Sequence, residues 1–115
     1  MMTFELQRDA LNSADDPGGR WLFEGGRAFD VNGNQVGHYA STMRVVFQGT
    51  EAQNTAMLTS TIFALGAQPP DTMTIQGAHD FNSGNQSGSV SAASGQFASL
   101  IGHNFSRAQN TVNID

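Results

Sequence analysis

Residues 73–105 contain the feature that most restricts the fold, because apolar side chains recur there at every second position in segments separated by Gly, Asn and Ser. Two of these segments carry a stripe on one face: Met73, Ile75, Gly77, His79 and Phe81 in the first, and Phe97, Ser99, Ile101, His103 and Phe105 in the last. A period of two is that of a β-strand. Each stripe ends with a histidine two residues before a phenylalanine, which predicts a polar feature within an otherwise apolar wall.

The rest of the chain has the same character, and the pattern predicts eight extended segments: residues 3–8, 20–30, 35–48, 54–65, 72–81, 87–93, 97–105 and 111–114. Gly and Pro predict a loop at residues 12–19 and a bulge at Gly25-Gly26. Asn32-Gly33 predicts a tight hairpin turn, and residues 49–53 a second turn. No segment has a convincing helical pattern. We therefore expect an all-β protein, with residues 1–115 forming a single domain built as an antiparallel barrel or sandwich.

Composition excludes several classes of function. The chain has no Cys, and its formal net charge is −5 with only 5 basic residues, all of them scattered arginines. There is no basic stripe for a phosphate backbone, so we expect no nucleic-acid binding. There is also no run of about 18 apolar residues that would cross a membrane, and the first residues do not resemble a secretory signal. A cytoplasmic protein without disulfides is the expectation.

Short motifs in the chain match those of a known barrel family. They are Val36-Gly37 after the Asn-Gly turn, Ile75-Gln76-Gly77, and Ala93-Ser94-Gly95-Gln96-Phe97 followed by Ile101-Gly102. The last group is similar to a Gly-Gly-Thr-Gly-x-Phe run, with Ala93 and Ser94 in place of the usual Gly-Thr or Gly-Ser pair. With these motifs, residues 19–105 resemble the allene oxide cyclase and dirigent-protein superfamily of eight-stranded, calycin-like barrels.

The resemblance implies an eight-stranded antiparallel barrel that holds a small hydrophobic ligand. Its relatives steer cyclisations and couplings of reactive intermediates without a cofactor. The family's catalytic residues have no local motif that this sequence repeats, so none is carried over, and a fold by itself hosts many functions.

The histidines are the first candidates for chemistry. If their strands are close, His79 and His103 form a proton-transfer pair near neutral pH or two ligands of a metal. The alternative, which we favour for each residue, is a histidine at a strand end bonded to backbone or water. A metal site would need clustered His-x-His and Glu spacing, which is missing, and His38 is alone beside a turn.

Four further residues are candidates for a site in the lumen. A buried Arg27 or Arg44 would hold a carboxylate or enolate oxygen through a bidentate contact. The alternative for both arginines is a surface charge in a weak ion pair. Glu24 is the candidate internal acid if a bulge at Gly25-Gly26 reverses the register. Tyr39 is either a donor to a developing oxyanion or a hydroxyl at the barrel rim.

Two functions from different classes remain open. The first is a cofactor-free isomerase or cyclase whose barrel binds and orients a small hydrophobic substrate. The second is a barrel that only binds a small ligand or has a structural role. Apolar residues on both faces of segment 54–65 also predict a homo-oligomer.

Overall fold

The structure is a computed structural model that describes residues 1–48, 51–66 and 68–115, without the side chains of residues 51 and 52. Its elements are β1 (Met2–Asp16), β2 (Gly19–Phe29), β3 (Gln35–Gln48), β4 (Glu51–Ala64), β5 (Thr72–Asp80), β6 (Asn85–Ala93), a 3-10 helix (Gly95–Leu100), β7 (Asn104–Ala108) and β8 (Thr111–Ile114). Each strand pairs antiparallel with the next, and β8 pairs with β1, so the sheet is closed. The predicted all-β, eight-stranded antiparallel barrel is confirmed at this level.

The first four strands are longer than the last four, and this makes the barrel asymmetric. β8 pairs with β1 only over Met2–Glu5, and β5 pairs with β4 only from Thr55 onward. Beyond these points one further backbone hydrogen bond occurs on each edge, from Leu6 N–H to Asn110 O and from Phe81 N–H to Asn54 O. The remaining described residues of β1 and β4 pair with a neighbouring strand on one side only. The four long strands therefore continue past the barrel as a sheet, which we term the projecting sheet, and the molecule reaches 45 Å in its longest dimension.

One end of the lumen is closed by the 3-10 helix. Its Phe97 is buried and packs edge-on against Phe4 from β1, with ring centroids 6.3 Å apart. The lumen next to this helix is filled by apolar side chains, among them Met73, Ile75, Val90, Phe105, Val112 and Ile114. Apolar burial of this kind supplies most of the stability of a small domain. The opposite end is open.

The segment before β7 differs from the sequence prediction. Residues 97–105 do not form one strand: residues up to Leu100 belong to the 3-10 helix, and the strand begins only at Asn104. The helix begins at Gly95, whose φ of +56° favours glycine, and a Cβ there would meet the Asp71 carboxyl group at 1.9 Å. The alternation of Phe97, Ser99 and Ile101 therefore does not correspond to the face of a strand.

The first hairpin also differs from the prediction. β1 runs to Asp16 and pairs with β2 up to Gly19, so the predicted loop at residues 12–19 is reduced to Pro17 and Gly18. Most of this stretch is exposed on both faces, which explains why it lacks an alternating apolar pattern. A register shift does occur near Gly25-Gly26, but it lies in β1 between Arg8 and Ala10, opposite the two glycines.

The turn at Asn32-Gly33 is confirmed, with Gly33 at φ +84°. For the turn predicted at residues 49–53, positions 49 and 50 lie outside the described residues, and β4 already begins at Glu51. No helix among the described residues is long and apolar enough to cross a membrane.

β4 has apolar residues on both faces, as the sequence predicted. Leu58 and Ile62 point inward and are buried, whereas Met57 and Phe63 are exposed on the outside. The homo-oligomer inferred from this pattern stays a prediction, which light scattering at several dilutions can test.

Candidate functional site

A cavity of about 730 Å³ lies at the open end of the barrel. We term it the polar cavity, and its lining includes Arg8, Glu24, Met43, His79, Gln86 and Arg107. These residues come from six different strands. Side chains on each strand alternate between the lumen and the outside, so neighbouring strands bring their inward residues to one place.

Glu24 and Arg107 form a buried ion pair in this cavity. An Arg107 guanidinium nitrogen lies 3.1 Å from Glu24 Oε1, and the two side chains are only 8% and 9% exposed. Arg107 Nε also donates to the backbone oxygen of Gln109 at 2.9 Å. The charge of Glu24 is thus compensated, as burial requires.

Tyr39 completes the cluster from β3. Its hydroxyl donates to the same carboxylate oxygen, Glu24 Oε1, at 2.5 Å. Burial, followed by the hydrogen bond to Glu24, raises the pKa of Tyr39 above its ordinary value. The phenol therefore stays protonated and acts as a donor that holds Glu24 in place. Glu24 Oε2 makes no hydrogen bond to a described residue, so this oxygen is available to contact a ligand.

His79 lies on the same wall. Its Nδ1 is 3.0 Å from Nε2 of Gln86, and its ring meets that of Phe81 edge-on with centroids 4.6 Å apart. Burial, assisted by the charge of Arg107, lowers the pKa of His79, and Asp80 and Glu24 oppose this shift. The imidazole is therefore neutral at neutral pH. When Gln86 donates to Nδ1, the ring proton lies on Nε2, where it is a donor.

A second cavity of about 300 Å³ lies on the inner face of the projecting sheet. We term it the apolar groove, and its apolar lining is Leu22, Val45, Phe47 and Phe81. The groove and the polar cavity are neighbours. On each of β2 and β3, a residue that lines the polar cavity is two positions from one that lines the groove. These pairs are Glu24 with Leu22 on β2, and Met43 with Val45 on β3.

The structure brings three of the predicted site residues together, namely Glu24, Tyr39 and His79. Glu24 points inward by ordinary alternation along β2, without the register reversal on which its prediction was conditional. Tyr39 is a donor to Glu24 and is buried, so it is not a hydroxyl at the rim. Glu24 and His79 line the polar cavity, and Tyr39 is linked to it through its hydrogen bond to Glu24. The catalytic role of the three residues stays a prediction.

His103, the second candidate histidine, lies outside the polar cavity. His103 is exposed beside the C-terminus, where its Nδ1 contacts the backbone oxygen of Asp115. It precedes β7 near the closed end, because the expected strand at residues 97–105 is replaced by a helix and a short turn. The prediction that His79 and His103 share a cavity is wrong.

The two candidate arginines, Arg27 and Arg44, lie on the outside of the barrel. Arg27 pairs with Asp9 at 3.0 Å, and Arg44 pairs with Asp16 at 2.9 Å and lies over the Trp21 ring, 5.0 Å from its centroid. Both occupy outward positions of their strands, so the alternative of surface ion pairs is the correct one.

Arg107, Gln86 and Arg8 are three of the cavity residues that the sequence analysis did not single out. A signal existed for Arg107, because it lies two residues after Phe105 and so shares its inward face. The same period connects Gln86 to Val90 through Gly88. A signal existed for Arg8 too, because it lies two residues after the inward Leu6, and the alternation changes phase only after it, at the bulge between Arg8 and Ala10.

The described residues contain no group of three or more His, Asp or Glu side chains that could hold a metal ion. Comparisons of the chain with models of protein families, with curated proteins and with solved structures found no match.

Proposed function

We propose that this protein is a cofactor-free isomerase or cyclase of the proton-transfer type, which binds and orients a small, largely hydrophobic substrate at the open end of the barrel. The observation that carries the proposal is that Glu24, Arg107 and His79 line one cavity, with Tyr39 hydrogen-bonded to Glu24. Buried charges and a shifted pKa inside a cleft are typical of catalytic sites.

Each residue has a role that follows from its contacts. Glu24 Oε2 is the base that removes a proton from the carbon next to a substrate carbonyl and returns it at another carbon. Tyr39 and Arg107 hold the carboxylate through Oε1 and keep Oε2 aimed into the cavity. The Nε2–H of the neutral His79 donates to the carbonyl oxygen and stabilises the negative charge that develops there.

The proposal agrees with the resemblance to barrels that steer cyclisations, although a likeness of motifs supports the fold better than the activity. Allene oxide cyclase-like membership is proposed on the same grounds. A cytoplasmic location is proposed as well, from the absence of cysteine.

A simple probe reaction tests the catalytic step. The isomerisation of 3-cyclohexenone to 2-cyclohexenone moves one proton between two carbons, and the conjugated product is followed by its ultraviolet absorbance. We expect the protein to accelerate it above buffer, and Glu24→Gln to lose about 100-fold or more of that rate, as removal of a general base does. Glutamine retains an oxygen for Tyr39 and Arg107, so this variant keeps the cluster.

A matched histidine pair provides the control. His79→Leu removes the donor in the cavity and should slow the reaction, whereas His38→Leu changes an exposed histidine on β3 and should not. An equal rate for wild type and Glu24→Gln would contradict the assignment of the base.

A non-catalytic binding barrel is the second candidate, and one observation favours it: Oε1 of Glu24 is already occupied by two donors, which is also the pattern of a purely structural ion pair. Under this alternative the protein binds small molecules in the polar cavity without accelerating any proton transfer.

A further inference from the structure

Gln86 has a buried polar atom without a partner. The residue is only 6% exposed, and its Oε1 finds no hydrogen bond among the described residues. Its Nε2 is occupied, at 3.0 Å from His79 Nδ1 and 3.8 Å from the Met43 sulfur. An unsatisfied buried acceptor is costly, and native proteins rarely leave one without a reason.

The missing partner has to be a hydrogen-bond donor. A carbonyl oxygen accepts only, so a carboxylate or a ketone oxygen of a ligand does not satisfy Oε1. A hydroxyl group does, and its oxygen can in turn accept a hydrogen bond from a second group of the cavity.

The space next to Gln86 is apolar on one side. His79, its hydrogen-bond partner, contacts Phe81, and Phe81 lines the apolar groove. Met43 contacts Gln86 and is followed two residues later by Val45, which also lines the groove. A ligand whose head lies at Gln86 therefore has an apolar path along the inner face of the projecting sheet.

We propose that the site takes a hydroxylated amphiphile, whose hydroxyl donates to Gln86 Oε1 in the polar cavity and whose hydrocarbon tail lies in the apolar groove. This deepens the proposed function by naming the substrate class, and it rests on that function only in requiring that the open end binds a small molecule.

Two isomeric probes test the head group. 1-Hexanol and 1-methoxypentane have the same atoms and similar tails, but only the alcohol is a donor. In NMR titrations of the labelled protein, 1-hexanol should shift the side-chain amide of Gln86 together with the methyl groups of Leu22 and Val45. It should bind about ten-fold more tightly than the ether, because only the alcohol satisfies the buried acceptor.

Variants separate head from tail. Gln86→Leu removes the acceptor, and the preference for the alcohol over the ether should vanish. Phe81→Ala shortens the groove and should weaken both probes several-fold, whereas Phe63→Ala, an exposed phenylalanine outside the barrel, should weaken neither. If Gln86→Leu does not fold, the two probes on the wild-type protein still decide the question.

Three results would overturn the inference: equal affinity for alcohol and ether, tighter binding of hexanoate than of 1-hexanol, or shifts at Gln86 without shifts in the groove. Failure here is distinguishable from failure of the proposed function. Isomerisation of 3-cyclohexenone without selection of 1-hexanol refutes the substrate class alone, and selection of 1-hexanol without isomerisation refutes the catalysis alone.

Discussion

The two ends of the barrel lumen are built by the same strands and have opposite chemistry. On β5, Met73 and Ile75 face the closed end and His79 faces the open end; on β7, Phe105 is followed by Arg107. At the closed end the inward side chains meet mainly hydrocarbon, with a buried Ser41–Ser60 hydrogen bond next to Ile75, whereas at the open end they meet charges and amides. The polarity of the inward side chains thus depends on how far along the strand they lie. It changes from apolar to polar within two to four residues of the same inward face.

Among the variants that test the difference between the two ends, we expect the largest loss of stability from one at the closed end. Phe97→Ala removes a buried ring that packs on Phe4, and we expect the free energy of unfolding to fall by about 4 kcal/mol, as for other buried phenylalanines. Urea denaturation measures it. The NMR signals of His79 and Gln86 should stay in place, because these residues belong to the other end.

Phe63→Ala is the matched control, since Phe63 is 38% exposed and Phe97 only 3%. It should cost much less. Equal losses for the two variants, or large shifts at His79 in Phe97→Ala, would contradict the division of the lumen into two independent ends.

The next effect belongs to the open end. Arg107→Met leaves the buried Glu24 carboxylate without its cation, and we expect a loss of about 3 kcal/mol in the free energy of unfolding. The double variant Arg107→Met with Glu24→Gln should recover a large part of it, because no charge is then left unpaired. A double-mutant cycle measures the coupling.

Arg27→Met provides the contrast, since the ion pair of Arg27 with Asp9 is exposed and should matter little. Without recovery in the double variant, the cost of Arg107→Met would come from lost packing and not from electrostatics.

The smallest effect is a pH dependence that only the open end should show. The pKa of His79 is lowered in the folded state, mainly by burial, from a value of about 6.5 in the unfolded chain. The unfolded chain therefore binds the proton more tightly. The contribution of His79 is complete above pH of about 6.5 and is lost as the pH falls through the folded pKa.

Urea denaturation at about pH 7.5 and pH 5 tests this. The wild type should lose more stability between the two pH values than His79→Gln does. An NMR titration of the ring should give a pKa below 6.5. Identical losses in the two proteins would show that His79 titrates as in the unfolded chain, and would remove the neutral donor from the proposed mechanism.

The barrel was predictable because alternation and turn residues are local signals. Asn32-Gly33 set a hairpin, and the stripe from Met73 to His79 identified an inward face correctly. The extension of β1 was not predictable in this way, because its exposed residues have no apolar face and read as a loop. The 3-10 helix was missed because Phe97, Ser99 and Ile101 alternate as on a strand. The residues that pack against the core are Phe97 and Leu100, and six residues are too few to show a helical period.

The site was predictable in part for the same reason. Glu24 and Tyr39 were found as residue types, but their contact depends on the register between β2 and β3, which pairs Glu24 with Ser41. Register is a property of the whole sheet. Arg27 was considered for the lumen because it shares a face with Trp21 and Phe23, yet on β2 this aromatic face is the outer one, with the two rings 38% and 42% exposed. Arg44 lies on a strand of mixed polarity, whose sequence does not identify the inner face.

Gly77 and Gly88 lie opposite each other on β5 and β6, between the two levels of the lumen. A Cβ added to either would meet the backbone of the neighbouring strand at 1.9 or 2.0 Å, so no larger residue is accommodated there without moving the sheet. The wall of the polar cavity just below His79 and Gln86 is thus main chain, which has no rotamers to exchange. Few side chains at that depth can therefore be substituted to change which ligand is bound. A new ligand preference has to come from substitutions in the projecting sheet and in the turn between β7 and β8, where side chains are free to change size.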